Sequence, residues 1–303
     1  MRAEAVERPQ PAAAARFADL REMTKPGITF MVVLTAGMGF LLAEGRFFSL
    51  GLLLHTLLGT GLVSAGASVL NQVLERRYDA LMRRTANRPL PAERVDPDFA
   101  LLYGVALSLA GLVELTFMVN LLTAALGAVA LSGYVFAYTP LKRYTELSTV
   151  VGGIPGAIPP MMGWAAVRND LDLAAWVLFG ILFFWQMPHF LAIAWLCRED
   201  YARGGFPMLT VIDPSGKRAA RQSILYAAAL VPLSLLPSLL GLTGGIYFGG
   251  ALLLGLAYLA AAFGFSRSLA GEGADKGARR LMFTSLLYFP GLLSVMVLDR
   301  WIA

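Results

Sequence analysis

Long apolar runs alternate with short polar ones along the chain. Runs close to the twenty residues that an α-helix needs to cross about 30 Å of hydrocarbon lie near 27–44, 49–72, 99–119, 121–138, 147–167, 173–197, 222–242, 244–266 and 279–299. The pattern predicts an all-α fold, a polytopic transmembrane helical bundle of about nine spans. The third and fourth runs, and the seventh and eighth, are joined by so few residues that each pair reads as a tight hairpin. Residues 1–26 (MRAEAVERPQPAAAARFADLREMTKP) lack a leading apolar core and read as a soluble N-terminal tail, not a cleaved signal. Their acids Glu4, Glu7, Asp19 and Glu22 argue against an organelle-targeting peptide. The membrane domain then spans 27–299.

Charge orients the bundle. Of the 25 Lys and Arg, all but Arg46, Arg168 and Arg300 fall in the tail or in the loops on the tail's side of the membrane. Positive residues stay on the cytoplasmic side, so the N-terminus is expected there and, with nine spans, the C-terminus opposite. Composition agrees: 57% of residues are hydrophobic and 15% charged, with mean hydropathy +0.64, against about 25% charged in a soluble domain. The pI near 9.5 follows from the same bias and does not point to nucleic acid. Cys197 is the only cysteine, which excludes an internal disulfide and a Cys/His zinc cluster.

The second apolar run gives way abruptly to NQVLERRYDALMRRTANRPLP, residues 71–91. If the helix continues past Leu70, Asn71, Glu75 and Asp79 recur every fourth residue and share one stripe within about 80°. Such a stripe of oxygen donors suits Mg²⁺, a hard ion that bridges carboxylates to substrate phosphates. Arg83, Arg84 and Arg88 follow before Pro89, where the helix is expected to end, and arginine forks suit phosphate oxygens. The same spacing also suits surface salt bridges such as Asp79 with Arg83.

A second polar loop, LCREDYARGGFPMLTVIDPSGK at 196–217, brings Glu199 and Asp200 to the same face after the sixth run, four helices after the first such loop. That spacing suits two halves facing each other across a central cavity, and two acidic groups placed so can share Mg²⁺ and turn a diphosphate into a leaving group. Glu199 and Asp200 can equally balance Arg198 and Arg203. Between the two loops, YVFAYTPLKRYTELS at 134–148 carries Lys142 and Arg143 just beyond Pro140, which is expected to end the fourth helix; the pair suits a phosphate clamp or simply the inside-positive rule. Thr24 and Pro26 read as the cap and first-turn proline of the first span, which puts Lys25 at the same surface, within reach of a diphosphate or of a lipid headgroup. Deep in the sixth run, FFWQMPHFLAIAW at 183–195 places Gln186 and His189 near mid-membrane, where polar groups are costly and default to function or to an interhelical bond. His55, near the far end of the second run, reads as structural.

These residues resemble the UbiA-type intramembrane prenyltransferases, in particular the heme-modifying subgroup. The likeness rests on Asn71, Glu75, Asp79 with MRRTANRPLP, on YTPLKRYTELSTVVGGIPGAIPPMMGW at 138–164, and on WQMPHFLAIAWLCREDYARGGFPML at 185–209. The chain departs from the family in one respect: its second acids are adjacent, not spaced as DxxxD. The resemblance implies a Mg²⁺-dependent enzyme that joins a farnesyl group from farnesyl diphosphate, with water, to a vinyl group of heme b, giving heme O and diphosphate. It implies Asn71, Glu75, Asp79 and Asp200 as metal ligands with Glu199 beside them, and Lys25, Arg83, Arg84, Arg88, Lys142 and Arg143 around the diphosphate. Heme contacts fall to His189, Gln186 and Trp185. The implied setting is the cell's inner (plasma) membrane, with lateral access from lipid and contact with a downstream heme A synthase. Two other readings stand beside it: prenyl transfer to a quinone-precursor aromatic acid, told apart by whether the purified protein carries heme, and a secondary transporter. The acids argue against transport, because they gather on one face and do not line a path across the bilayer.

Overall fold

The computed structural model describes residues 13–43 and 49–302, with backbone only for 13–16 and 300–302. The tail before Ala13, with Arg2 and Arg8, and Arg46 of the first opposite loop lie outside these residues. In chain order the helices are α1 Ala13–Met23, α2 Pro26–Ala43, α3 Leu50–Asp79, α4 Pro97–Met118 and α5 Leu121–Ser132. A π-helical turn Gly133–Tyr138 leads into α6 Thr139–Leu141. Then come α7 Ser148–Ala157, α8 Pro159–Arg168, α9 Leu173–Leu196, α10 Arg198–Arg203, α11 Leu209–Ile212, α12 Lys217–Leu239, α13 Gly245–Ser268 and α14 Ala274–Ile302. Among the described residues there is no strand, and nine spans are long and apolar enough to cross a membrane. Two of them are composite: α5 with its π-turn and α6, and α7 with α8, joined at Ile158 ahead of Pro159 and Pro160.

Short side chains set the closest helix approaches, as expected where lipid offers no hydrophobic drive and packing must supply the attraction. Gly59 and Gly66 on α3 face Gly111 and Gly104 on α4, so the antiparallel pair meets at matching intervals of seven residues, and a Cβ at Gly59, Gly66 or Gly111 would strike the partner helix. At their far end His55 Nδ1 and Glu114 Oε1 pair at 2.6 Å, which gives the histidine the interhelical role expected of it. α2 lies against α8 so closely that a Cβ on Gly39 would collide with the Pro160 carbonyl, and one on Gly163 with that of Ala36. The main core joins α9 to α12, α13 and α14 through Trp185, Tyr258, Tyr288 and Phe289. Asp299, buried near the end of α14, caps α13 from outside that helix, accepting from the backbone N–H groups of Gly244, Ile246 and Tyr247.

Four local expectations differ. The supposed tail includes α1, which docks on the bundle with Met23 fully buried. Thr24 does not cap α2: its hydroxyl donates back to the Arg21 carbonyl (2.8 Å), closing α1, while Pro26 does open α2. Pro140 does not end its helix, because the preceding π-turn loosens the ladder where the proline ring would clash, and the backbone stays helical through Leu141. α3 stops at Asp79, ten residues before Pro89.

Candidate active site

α3 has 30 residues, about 45 Å at 1.5 Å per residue, longer than the hydrocarbon is thick. Its last turns therefore rise beyond the apolar layer into the loops, and there Asn71, Glu75 and Asp79 point inward, at 2%, 2% and 1% exposure. Each meets a cation from a different segment. Lys25 Nζ donates to Asn71 Oδ1 (3.1 Å), Lys142 Nζ to both Glu75 carboxylate oxygens (3.1 Å each), and Arg88 Nη1 to Asp79 Oδ2 (2.8 Å). Asn71 also donates to Thr139 Oγ1 (3.0 Å), which in turn donates to the Tyr134 carbonyl inside the π-turn. The local alternative, Asp79 with Arg83, is not formed.

The loop after α3 explains why. Once the helix ends, Thr85 Oγ1 donates to the Asp79 carbonyl (2.8 Å), and Met82, Thr85 and Leu90 become buried. The chain folds back over the helix end and returns Arg88 to Asp79. Arg83 is left exposed, its backbone N–H donating to Asp200 Oδ1 (3.0 Å), and the Arg84 guanidinium lies 4.7 Å over the Tyr201 ring. Arg143 is turned outward from the stripe, bonded to the Leu74 carbonyl (2.8 Å) and lying 4.4 Å over Tyr78, so it staples its loop to α3.

Lys142 is 7% exposed, and three rings close around its ammonium: Phe206 at 4.6 Å and Tyr138 and Tyr201 at 5.8 Å. Lys25 has φ +48°, a conformation uncommon for a side chain other than glycine. α1 imposes it. Gln72 Nε2 donates to the Met23 carbonyl (2.7 Å), and Arg94 ties down Asp19 (2.8 Å) and Glu22 (3.3 Å), so the chain must turn sharply at Lys25 to enter α2. Removal from water, with Arg88 close by, lowers the Lys25 pKa to about 8. Tyr138, Tyr201, Phe206, Gln72, Asp19 and Arg94 were not singled out by sequence. Tyr138 stands four residues before its partner Lys142, and the others meet partners tens of residues away, of which spacing carries no signal.

The second acidic pair is separated by the structure. Asp200, on the short α10, accepts from Arg203 (2.8 Å) as well as from Arg83 N–H and so touches the first loop; Glu199 is exposed and has no bond partner among the described residues. Arg198 bonds Asp275 and the Trp195 carbonyl instead of either acid. In the membrane-embedded part of α9, His189 Nδ1 meets Ser285 Oγ (2.7 Å), and its ring stacks on Trp185 at 5.6 Å. The Trp185 indole donates to the Ser285 carbonyl (2.8 Å), whereas Gln186 turns to α7 and donates to the Gly153 carbonyl (2.6 Å). The three residues therefore do not present polar atoms to one common space. No cluster of three or more His, Cys, Asp or Glu poised for a metal occurs among the described residues.

Residues 32–287 match the UbiA prenyltransferase family. The chain is 48% identical to a protoheme IX farnesyltransferase of Solibacter usitatus, over 93% of this chain and 98% of that one. It is 46% identical to the Salinibacter ruber enzyme of the same name, over 91% and 96%. In three dimensions it resembles a digeranylgeranylglyceryl phosphate synthase (TM-score 0.78, 16% identity, 95% and 100% covered) and a UbiA homolog from Archaeoglobus fulgidus bound to DMAPP and Mg²⁺ (0.66, 17%, 92% and 99%). An inward stripe of oxygen donors held by three cations at the end of a membrane bundle, and sequence likeness along nearly the whole length, agree: the chain belongs to the UbiA prenyltransferase family.

Proposed function

We propose that the protein transfers a farnesyl group from farnesyl diphosphate to a vinyl group of heme b, with addition of water, to give heme O and diphosphate. One observation carries the site assignment. Lys25, Lys142 and Arg88 converge from separate segments on the buried stripe Asn71–Glu75–Asp79, which makes a compact array of positive donors beside acidic oxygens. The near-half identity to protoheme IX farnesyltransferases favours heme over an aromatic acid as acceptor.

The donor set fits Mg²⁺. It consists of oxygen only, it is buried, and its acids are too few to saturate a hard ion, which leaves positions for phosphate oxygens and water. Asn71, Glu75, Asp79 and Asp200 would hold the ion, which when bound supplies neutralisation of the diphosphate's charge. The chain's own residues do the rest. Lys25, Lys142 and Arg88 are displaced from the acids toward the departing phosphate oxygens, and they stabilise the charge that develops as the carbon–oxygen bond breaks. Arg84 lies at the rim for the same anion. The rings of Tyr138, Tyr201 and Phe206 keep water from the allylic carbon until the vinyl group attacks; water then adds at the other vinyl carbon and loses a proton. His189 contacts the heme through Nε2, with Ser285 fixing the ring through Nδ1. The site faces the cytoplasm from the inner membrane, on the side where the basic loops gather. The domain begins near residue 27, with α1 as its docked lead, and the product passes to a heme A synthase.

The test is mass spectrometry of heme after detergent-purified protein is incubated with heme b, farnesyl diphosphate and Mg²⁺. The expected gain is one farnesyl plus one water, absent with Asp79→Ala. Diphosphate release with an aromatic acid, and none with heme, would move the protein to the quinone branch. Unchanged heme affinity in a folded His189→Ala variant would remove the heme role of that residue.

A further inference from the structure

Away from the stripe, the first turns of α12 and the last turn of α13 diverge and leave a groove of about 470 Å³ on the loop-bearing face. Lys217 and Arg221, one turn apart on α12, line it together with Ile224 and Leu225 one turn further along, and with Ser266 and Leu269 from the end of α13. Both cations are exposed, and among the described residues neither side chain has an ion-pair or hydrogen-bond partner. Arg218, between them in sequence, differs: it pairs with Glu146 at 2.7 Å and faces the α6–α7 loop. The nearest acid before them, Asp213, is occupied by Arg218 N–H and by Ser215. The inside-positive rule accounts for cations on this face. It does not account for two unneutralised ones sharing a cavity whose α12 side turns apolar one turn deeper, at Ile224 and Leu225.

We infer that this groove binds an anionic phospholipid, its phosphate between Lys217 and Arg221 and an acyl chain along Ile224 and Leu225. The gradient from charge to apolar surface matches an amphiphile lying at the membrane boundary, and basic pockets between membrane helices take acidic headgroups for this reason. A soluble phosphate would use the cations and leave Leu225, which is 58% exposed, facing lipid tails as before.

The experiment reconstitutes the full chain in nanodiscs of phosphatidylcholine with 10–20% phosphatidylglycerol (about this range, to keep the surface anionic) and counts lipids retained on release into neutral detergent by native mass spectrometry. Wild type should retain phosphatidylglycerol in preference to phosphatidylcholine. Lys217→Gln with Arg221→Gln should weaken that preference by about fivefold per cation, while Arg218→Gln leaves it within twofold. Thermal unfolding in neutral detergent checks that both variants fold. Equal retention of the two lipids by wild type, or an unchanged preference in the double variant, overturns the inference. So does loss of the bound lipid to millimolar inorganic phosphate at constant ionic strength, because the site would then be one for free phosphate.

Discussion

The two acidic motifs occupy similar places in sequence, each after a long span on the same face, yet they are built differently. The first continues an unbroken helix, so its three side chains are buried, aligned by the helix itself and each answered by a cation from outside it. The second sits on α10, a separate helix of six residues past the end of α9, and meets the first loop through Asp200 with Arg83 N–H and through Tyr201 under Arg84. A rigid helix end fixes oxygen positions in advance, whereas a short surface helix tied by one hydrogen bond and one ring contact can shift with what it binds. The first motif is the fixed jaw of the site and the second the adjustable one.

That comparison can be broken in graded ways. Chelating Mg²⁺ should abolish turnover entirely yet shift the unfolding midpoint by no more than about 2 °C, because the cations already compensate the stripe acids; scanning calorimetry with and without chelator decides this. Glu75→Gln should lower kcat/KM by about 10²–10³-fold and cost about 3–5 kcal/mol of stability, since Lys142 is left buried and unpaired. Adding Lys142→Met should recover much of the stability and none of the activity, which separates the two effects. In the adjustable jaw, Asp200→Asn should cost about 10–100-fold in kcat/KM and Glu199→Gln less than about twofold. Equal losses from the two would make α10 a single acidic patch instead of a directed ligand. Arg94→Ala, which frees α1 from its loop, should raise KM for farnesyl diphosphate by about three- to tenfold through a loosened Lys25 while kcat changes little; a fall in kcat alone would show that Lys25 acts without α1.

How much of this the sequence disclosed follows from the range of each interaction. Nine spans and the inward stripe were legible because hydropathy and a four-residue repeat are local, and helix geometry turns spacing directly into direction. The stripe residues Asn71, Glu75 and Asp79 were therefore found together. Their partners were found as charges only: nothing in the spacing said that Glu75 pairs with Lys142, or that Arg88 and not Arg83 returns to Asp79. Pro89 and Pro140 misled because proline was read as a stop. The helix had already ended at Asp79 in one case, and a π-turn made room for the ring in the other. Glu199 and Asp200 are adjacent in sequence and so indistinguishable there; backbone direction on α10 separates them. Arg143 looked like a phosphate clamp, and packing on Tyr78 shows it holding the loop.

The close contact of α2 with α8 has a bearing on how the protein comes into being. Lys25 enters the site on the lead into α2, and α2 finds its seat only when Gly163 and Pro160 are present to receive it. During synthesis, the first span must wait in the bilayer for more than a hundred further residues before its place exists, and the rings around Lys142 are not complete until Phe206 has been added. A growing chain thus carries Glu75 long before Lys142 arrives to hold it, although Lys25 precedes the stripe and Arg88 follows Asp79 by nine residues. The charge of Glu75 must meanwhile be borne by water at the membrane surface, and the stripe becomes part of a closed site only in the second half of the protein's manufacture.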